Sequence, residues 1–278
     1  MSALCGCMKM ERWRSLFIVG HGVFLEMLRR KDLYVMLMLA GLFVLGIFGM
    51  SIVGIENPST ANLLLNLGMS LAWFLAHIMT LLTAARQIPC EMEARTLYPL
   101  LARPLERGDY YLGKWMAVTF SGCAVLYLLL LLGWLPVPRL QFYDTRLFLQ
   151  IVVLLTISIA MLTALTLLFS LLIPRGVNVV FLSLLLIFGG GIMEFFQSPT
   201  LHSFSDGARK AGRTFVSQIL RWFTAYIPDF SKLNLITRYT DGIGPLGGME
   251  FLALICYGGL FTVIALLLGI HLFQRRSL

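Results

Sequence analysis

Between Leu147 and Ile173 the chain carries no Asp, Glu, Lys or Arg, and its apolar residues follow neither a helical nor a strand alternation. In water such a segment would present hydrophobic surface on every side; in a bilayer lipid solvates it directly. Comparable blocks run from Tyr34 to about Ile55, Leu63 to Ala85, Tyr111 to Leu135, Val177 to about Phe196 and Phe251 to Phe273. Each reaches the ~20 residues that cross a hydrocarbon core. Lipid offers no partner to backbone N–H and C=O groups, so these blocks are expected to be helices that satisfy their own hydrogen bonds. A β-barrel would need short alternating segments, and the chain has none. Hydrophobic residues make up 58% and charged residues 13%, against roughly 45–50% and about 25% in soluble domains, so too little polar surface remains to cover a globule. The expectation is an all-α integral membrane protein, one transmembrane domain over residues 1–278 with about six spans.

Turn chemistry separates the spans: Glu56-Asn57-Pro58-Ser59 after the first, Arg86 after the second, Pro136-Val137-Pro138-Arg139 after the third and Pro174-Arg175-Gly176 after the fourth. Alternate sides then hold fourteen and eight of the 22 Lys and Arg residues. The richer side includes Lys9, Arg12, Arg14, Arg29, Arg30 and Lys31 before the first span, and Arg86, Arg95, Arg103, Arg107 and Lys114 after the second. The positive-inside rule makes that side, with both termini, cytoplasmic. Basic residues beside anionic lipid account for the net charge of +8, and no nucleic-acid partner is needed.

The N-terminus lacks the short apolar core and small-residue site of a cleavable signal. Within residues 9–31, Trp13, Leu16, Phe17, Val23, Phe24, Met27 and Leu28 recur at helical spacing opposite Arg12, Ser15, Glu26, Arg29 and Arg30. This pattern predicts an amphipathic helix on the cytoplasmic membrane surface, with a plain cap helix as the alternative. Cys5, Cys7, Cys90, Cys123 and Cys256 are too scattered for a disulfide framework. Cys5-Gly6-Cys7 alone is an incomplete metal site, so no metal is expected.

The loop of residues 86–110 is short, charged and punctuated by prolines. Pro89 suits a first helical turn, where Glu91 and Glu93 would meet the positive end of the helix dipole, and Pro99 and Pro104 prevent a long continuation. A brief helix with Met92, Leu97, Leu100 and Leu101 as apolar anchors and Glu and Arg as register-fixing charges suits a protein docking element. Glu91, Glu93, Thr96, Leu97, Leu100, Leu101, Pro104, Arg107, Gly113 and Lys114 match the loop of the permease subunits of type-2 ABC exporters, which the whole chain resembles. Within that family it looks closest to permeases linked to multicopper enzyme maturation and gliding motility. Arg95-Thr96 stands where many relatives carry Gly-Thr.

The resemblance implies a non-catalytic subunit of a bacterial cytoplasmic membrane, forming a dimer bound to two copies of a separate ATPase that holds ATP and Mg²⁺. It also implies that Glu91, Glu93, Arg95, Thr96, Leu97, Leu100 and Leu101 form a coupling helix seated in a groove of that ATPase. This chain itself is expected to hold no cofactor. Gly108 to Trp115 mimics a phosphate-binding loop, but Trp115 lacks the hydroxyl that holds magnesium and Lys114 opens a membrane helix.

His77 and Glu194 are ionisable residues within spans and therefore transport-path candidates, although a neutral His is cheap to bury and Glu194 lies near an interface. Gly189 to Gly191 suits close helix packing or a local break. The external segment 197–249 is too long for a connector. From Asp206 to Tyr226 it carries an apolar stripe including Phe215, Ile219 and Phe223 opposite Arg209, Lys210, Arg213 and Arg221. That stripe predicts an amphipathic helix acting as a lid, a dock for an extracytoplasmic accessory protein, or an interfacial anchor. Pro228 to Asn234 then turns the chain. An ATP-driven exporter is favoured over a secondary transporter, because the two halves share no sequence and mid-membrane carboxylates are missing. A membrane-embedded enzyme would need a cluster of Asp, His or Ser that is not there.

Overall fold

The computed structural model describes residues 58–93, 107–134, 144–197 and 228–275, preceded by six helical positions at Tyr34, Met38, Gly41, Leu45, Gly46 and Gly49. Its long elements are α1 (Pro58–Glu93), α2 (Arg107–Trp134), α3 (Thr145–Leu172), α4 (Arg175–Gln197) and α6 (Gly248–Arg275). A 3₁₀ turn (Ser231–Leu233) and the short α5 (Ile236–Thr240) lie between α4 and α6. Among the described residues there is no strand, and α1, α2, α3 and α6 are each long and apolar enough to cross a membrane. A helix of 28 residues, such as α3, is about 42 Å long, which spans the hydrocarbon core and both headgroup zones. α4 is 23 residues long, and its side chains are described from Arg175 to Ile187.

The expected limits of the third to sixth spans agree with the helices to within a few residues, the end of the first lies outside the described residues, and the limits of the second differ. Instead of stopping at Arg86, α1 runs on without a break through Pro89 to Glu93. Pro89 therefore sits inside a helix and does not open a new one; it leaves the Ala85 carbonyl without its usual donor, a loss that membrane helices accommodate. Glu91 and Glu93 consequently belong to the far end of α1, where the dipole argument for a helix start does not apply. The third span likewise starts early, at Arg107. Between α3 and α4 only Ile173 and Pro174 lie outside helix, and the Pro174 carbonyl accepts from Asn178 N at 3.0 Å, so Arg175 and Gly176 already belong to α4.

The central helix is α3, whose buried residues run from Leu147 to Leu171 and which packs against α1, α2, α4 and α6. Asp144 caps it, its carboxylate accepting from Arg146 N at 3.1 Å. Polar ties cross the apolar contacts. Trp115 Nε1 donates to the Ala160 carbonyl at 3.1 Å, the Thr119 and Thr163 hydroxyls are 2.8 Å apart, and Asn178 Nδ2 donates to the Thr166 carbonyl at 3.1 Å. Gly122 lets α2 approach closely, since a Cβ there would collide with Thr80 of α1 and come within 3.1 Å of Ile159 Cγ2 of α3.

These ties sort the helix ends. The C-terminal ends of α1, α3 and α6 share one end of the bundle with the N-terminal ends of α2 and α4. The opposite end holds the 228–247 segment, which turns the chain as expected. There Asp229 Oδ1 accepts from Ser231 N at 3.0 Å and Asn234 Oδ1 accepts from Ile236 N at 3.1 Å, starting the two short helices. Gln150 of α3 grips the Leu246 backbone through both its N–H (3.0 Å) and its carbonyl (3.2 Å). Phe230, Leu233 and Ile236 anchor the segment in the core. The surface helix expected within residues 9–31, and the external helix with Phe215, Ile219 and Phe223, lie outside the described residues.

Candidate functional site

The segment 94–106 joins α1 to α2, and its Arg95, Thr96, Leu97, Leu100 and Leu101 lie outside the described residues, as do the side chains of Glu91 and Glu93. What the structure does define is the base on which that segment is mounted. Three helices meet there: the last turns of α1, the first turns of α2 and the last turns of α6.

On α1, Ala84, Ala85, Gln87 and Ile88 are buried. On α2, the face at Asp109, Tyr110, Tyr111 and Lys114 is buried, although two of these residues carry charge-bearing groups. Lys114 is only 2% exposed and donates from Nζ to Gln87 Oε1 at 2.9 Å, with the Tyr110 ring centroid 5.5 Å from Nζ. An amine withdrawn from water is costly unless it is compensated, so the amide acceptor and the aromatic face hold it in place. Gln87 Nε2 has no partner, which fits an amide oriented by the lysine.

The neighbouring tyrosines bind the third helix. Tyr110 stacks on Phe273 of α6 at 6.0 Å between centroids, and Tyr111 meets the same ring at 6.2 Å. Gly269 is what admits Tyr111, since any Cβ there would collide with the phenol. Buried and without a hydrogen-bond partner, the Tyr111 hydroxyl serves fit and not polar pairing. Residues Gly108 to Trp115 all lie in the continuous helix α2. Their backbone N–H groups are thus committed to helical bonding past the first turn, and they form no phosphate-cradling loop.

His77 lies toward the middle of α1 and is fully buried. Its Nδ1 is 2.8 Å from the Trp73 carbonyl, and its Nε2 is 2.8 Å from the Ser158 hydroxyl on α3. Because a carbonyl only accepts, Nδ1 carries the proton, and the hydroxyl donates to Nε2 in the neutral tautomer. Both nitrogens are thereby engaged in a tie between α1 and α3. Glu194 lies on α4, far from that tie in sequence, and its side chain is not among those described. Among the described residues no group of three or more His, Cys, Asp or Glu is placed to hold a metal ion.

Sequence reasoning passed over Gln87 and Asp109; it placed Lys114 in the matched loop motif and at the opening of a membrane helix, but not in a buried contact with Gln87. The available signal was Lys114 between Tyr110-Tyr111 and Trp115, one helical turn from the first tyrosine, a pattern that favours a buried aromatic-flanked amine.

No curated protein matches the chain significantly. A family model, described as ABC-2 family transporter protein, matches residues 24–278. That match takes in every described helix, the base and both flanks of the 94–106 segment. Members of that family are in general non-catalytic membrane subunits that work with an ATPase. The chain belongs to the ABC-2 transporter family and is an integral membrane protein, the permease component of an ABC transporter.

Proposed function

We propose that this chain dimerises and couples ATP hydrolysis by two separate ATPase subunits to export, or to a conformational change across the membrane. The observation that carries the reading is the place of the motif Glu91, Glu93, Thr96, Leu97, Leu100, Leu101, Pro104, Arg107, Gly113 and Lys114. In a member of the family, it straddles the junction of two long helices whose flanks are locked together by buried side chains. A force applied to such a segment reaches the bundle, because α1 is 36 residues long and is tied to α3 by His77. Glu91, Glu93, Arg95, Thr96, Leu97, Leu100 and Leu101 are the contact residues for the ATPase, which binds ATP and Mg²⁺.

On this reading the end of the bundle with α1's last turn and α6's last turn faces the cytoplasm, as the excess of Lys and Arg favours. Residues 34–55 and α4 complete six spans in the bacterial cytoplasmic membrane, and the helical backbone at Tyr34, Met38, Gly41, Leu45, Gly46 and Gly49 supports the first. Phe215, Ile219 and Phe223 belong to an external lid or a dock for an accessory protein. Glu194 is a transport-path candidate; His77 is another only if its bond to Ser158 opens during the cycle.

The test is co-purification with the ATPase, followed by ATP turnover in proteoliposomes. Glu93→Ala and Leu97→Ala are expected to leave the complex assembled and lower turnover by about tenfold. Unchanged turnover and transport in both variants would contradict the proposal.

A further inference from the structure

We infer that the Gln87 to Lys114 hydrogen bond makes the two flanks of the 94–106 segment move as one body, with Lys114 as the positioning residue. This inference rests on the coupling reading above and names the part of the chain that carries the motion.

The bond lies at matched depth on the two helices. Gln87 is six residues before Glu93 on α1, and Lys114 is seven residues after Arg107 on α2. At the helical rise these offsets are about 9 Å and about 10 Å, so the bond joins the rods at one level. It also falls where α1 lacks one backbone hydrogen bond. Pro89 donates no N–H to the Ala85 carbonyl, and Gln87 sits midway in that unsupported turn. A partner on α2 that grips Gln87 therefore braces the turn through which force on the segment enters α1. Both side chains are 2% exposed, so water does not compete for the bond. Tyr110, one turn before Lys114, extends the brace by stacking on Phe273 of α6. Lys114 is thus one point at which α1, α2 and, through Tyr110, α6 are joined.

The test uses the full chain in complex with its ATPase in proteoliposomes, with native cysteines replaced by serine. Spin labels at Leu131→Cys on α2 and Met249→Cys on α6, both exposed and remote from the bond, report the interlabel distance with and without ATP and vanadate. In the parent an ATP-dependent change in distance is expected. Lys114→Met and Gln87→Leu should each lower that change, per ATP hydrolysed, by about tenfold, and the exchange Gln87→Lys with Lys114→Gln should restore at least half of it. Should Lys114→Met fail to accumulate, Gln87→Leu leaves the lysine and its other contacts in place and carries the same test. An undiminished change in the single variants overturns the inference while leaving the coupling reading intact. Loss of folded protein in both single variants assigns the bond to stability alone and also overturns it. A parent that neither binds the ATPase nor shows any change refutes the coupling reading, and this inference with it.

Discussion

Replacing Gly122 with alanine probes the packing most sharply, because one methyl group would meet two helices at once. The added Cβ collides with Thr80 Oγ1, and it would lie 3.0 Å from Thr80 Cγ2 and 3.1 Å from Ile159 Cγ2. Thr80 cannot yield cheaply: its hydroxyl donates to the Ala76 carbonyl at 2.7 Å, and a β-branched side chain in a helix has little rotamer freedom. Overpacking costs about 1–3 kcal/mol, and loss of the Thr80 bond adds about 1 kcal/mol, so Gly122→Ala should destabilise by roughly 2–4 kcal/mol. Most of that cost should vanish in a Thr80→Ala background, where the Ile159 contact is the close approach that remains, giving a coupling energy of about 1.5–3 kcal/mol. Reversible unfolding of the four proteins of the cycle in detergent micelles measures it. A neutral Gly122→Ala, or costs that simply add, would refute the close approach of α2 to α1 on which the fold depends.

Ser158→Ala should cost about 1 kcal/mol by orphaning His77 Nε2, and nearly nothing in a His77→Phe background; unfolding midpoints of the pair and the double variant check this. Tyr111→Phe removes a buried hydroxyl that has no partner, so stability should hold or rise slightly, whereas Gly269→Ala should lower it by about 1–3 kcal/mol as the phenol is displaced. Gln150→Leu cuts both bonds to Leu246, and hydrogen exchange of the Leu246 amide should accelerate by about tenfold or more, with the α2 amides unaffected.

The membrane class and most helix limits were legible because lipid imposes a simple rule: apolar blocks of ~20 residues become helices. Pro174 at the end of α3 marks a limit set by local chemistry, and it falls where the sequence suggests, whereas the cap at Asp144 lies a few residues before the expected start at Leu147. The end of the second span was misjudged for a tertiary reason. Arg86 and Pro89 are stop signals for an isolated helix, yet Gln87, Ile88 and Ala85 are buried against neighbouring helices, and that packing carries α1 through them. The base of the 94–106 segment was hidden for a related reason. Lys114 and Gln87 are 27 residues apart in sequence, and nothing local reveals that one amide would accept from that amine. His77 was visible as an oddity within a span, but its partner Ser158 lies 81 residues away and is one of many hydroxyl residues on α3. Close approach at Gly122 and Gly269 was equally unreadable, since a glycine in an apolar run gives no sign of what it faces.

Site-directed cross-linking at Leu97 tests the central proposal most directly. In a background without native cysteines, Leu97→Cys should be shielded from an impermeant maleimide added outside the cell, and a short bifunctional reagent should join it to the ATPase subunit in a nucleotide-dependent manner. Labelling from the outside, with no cross-link to any ATPase under any nucleotide condition, would contradict the account.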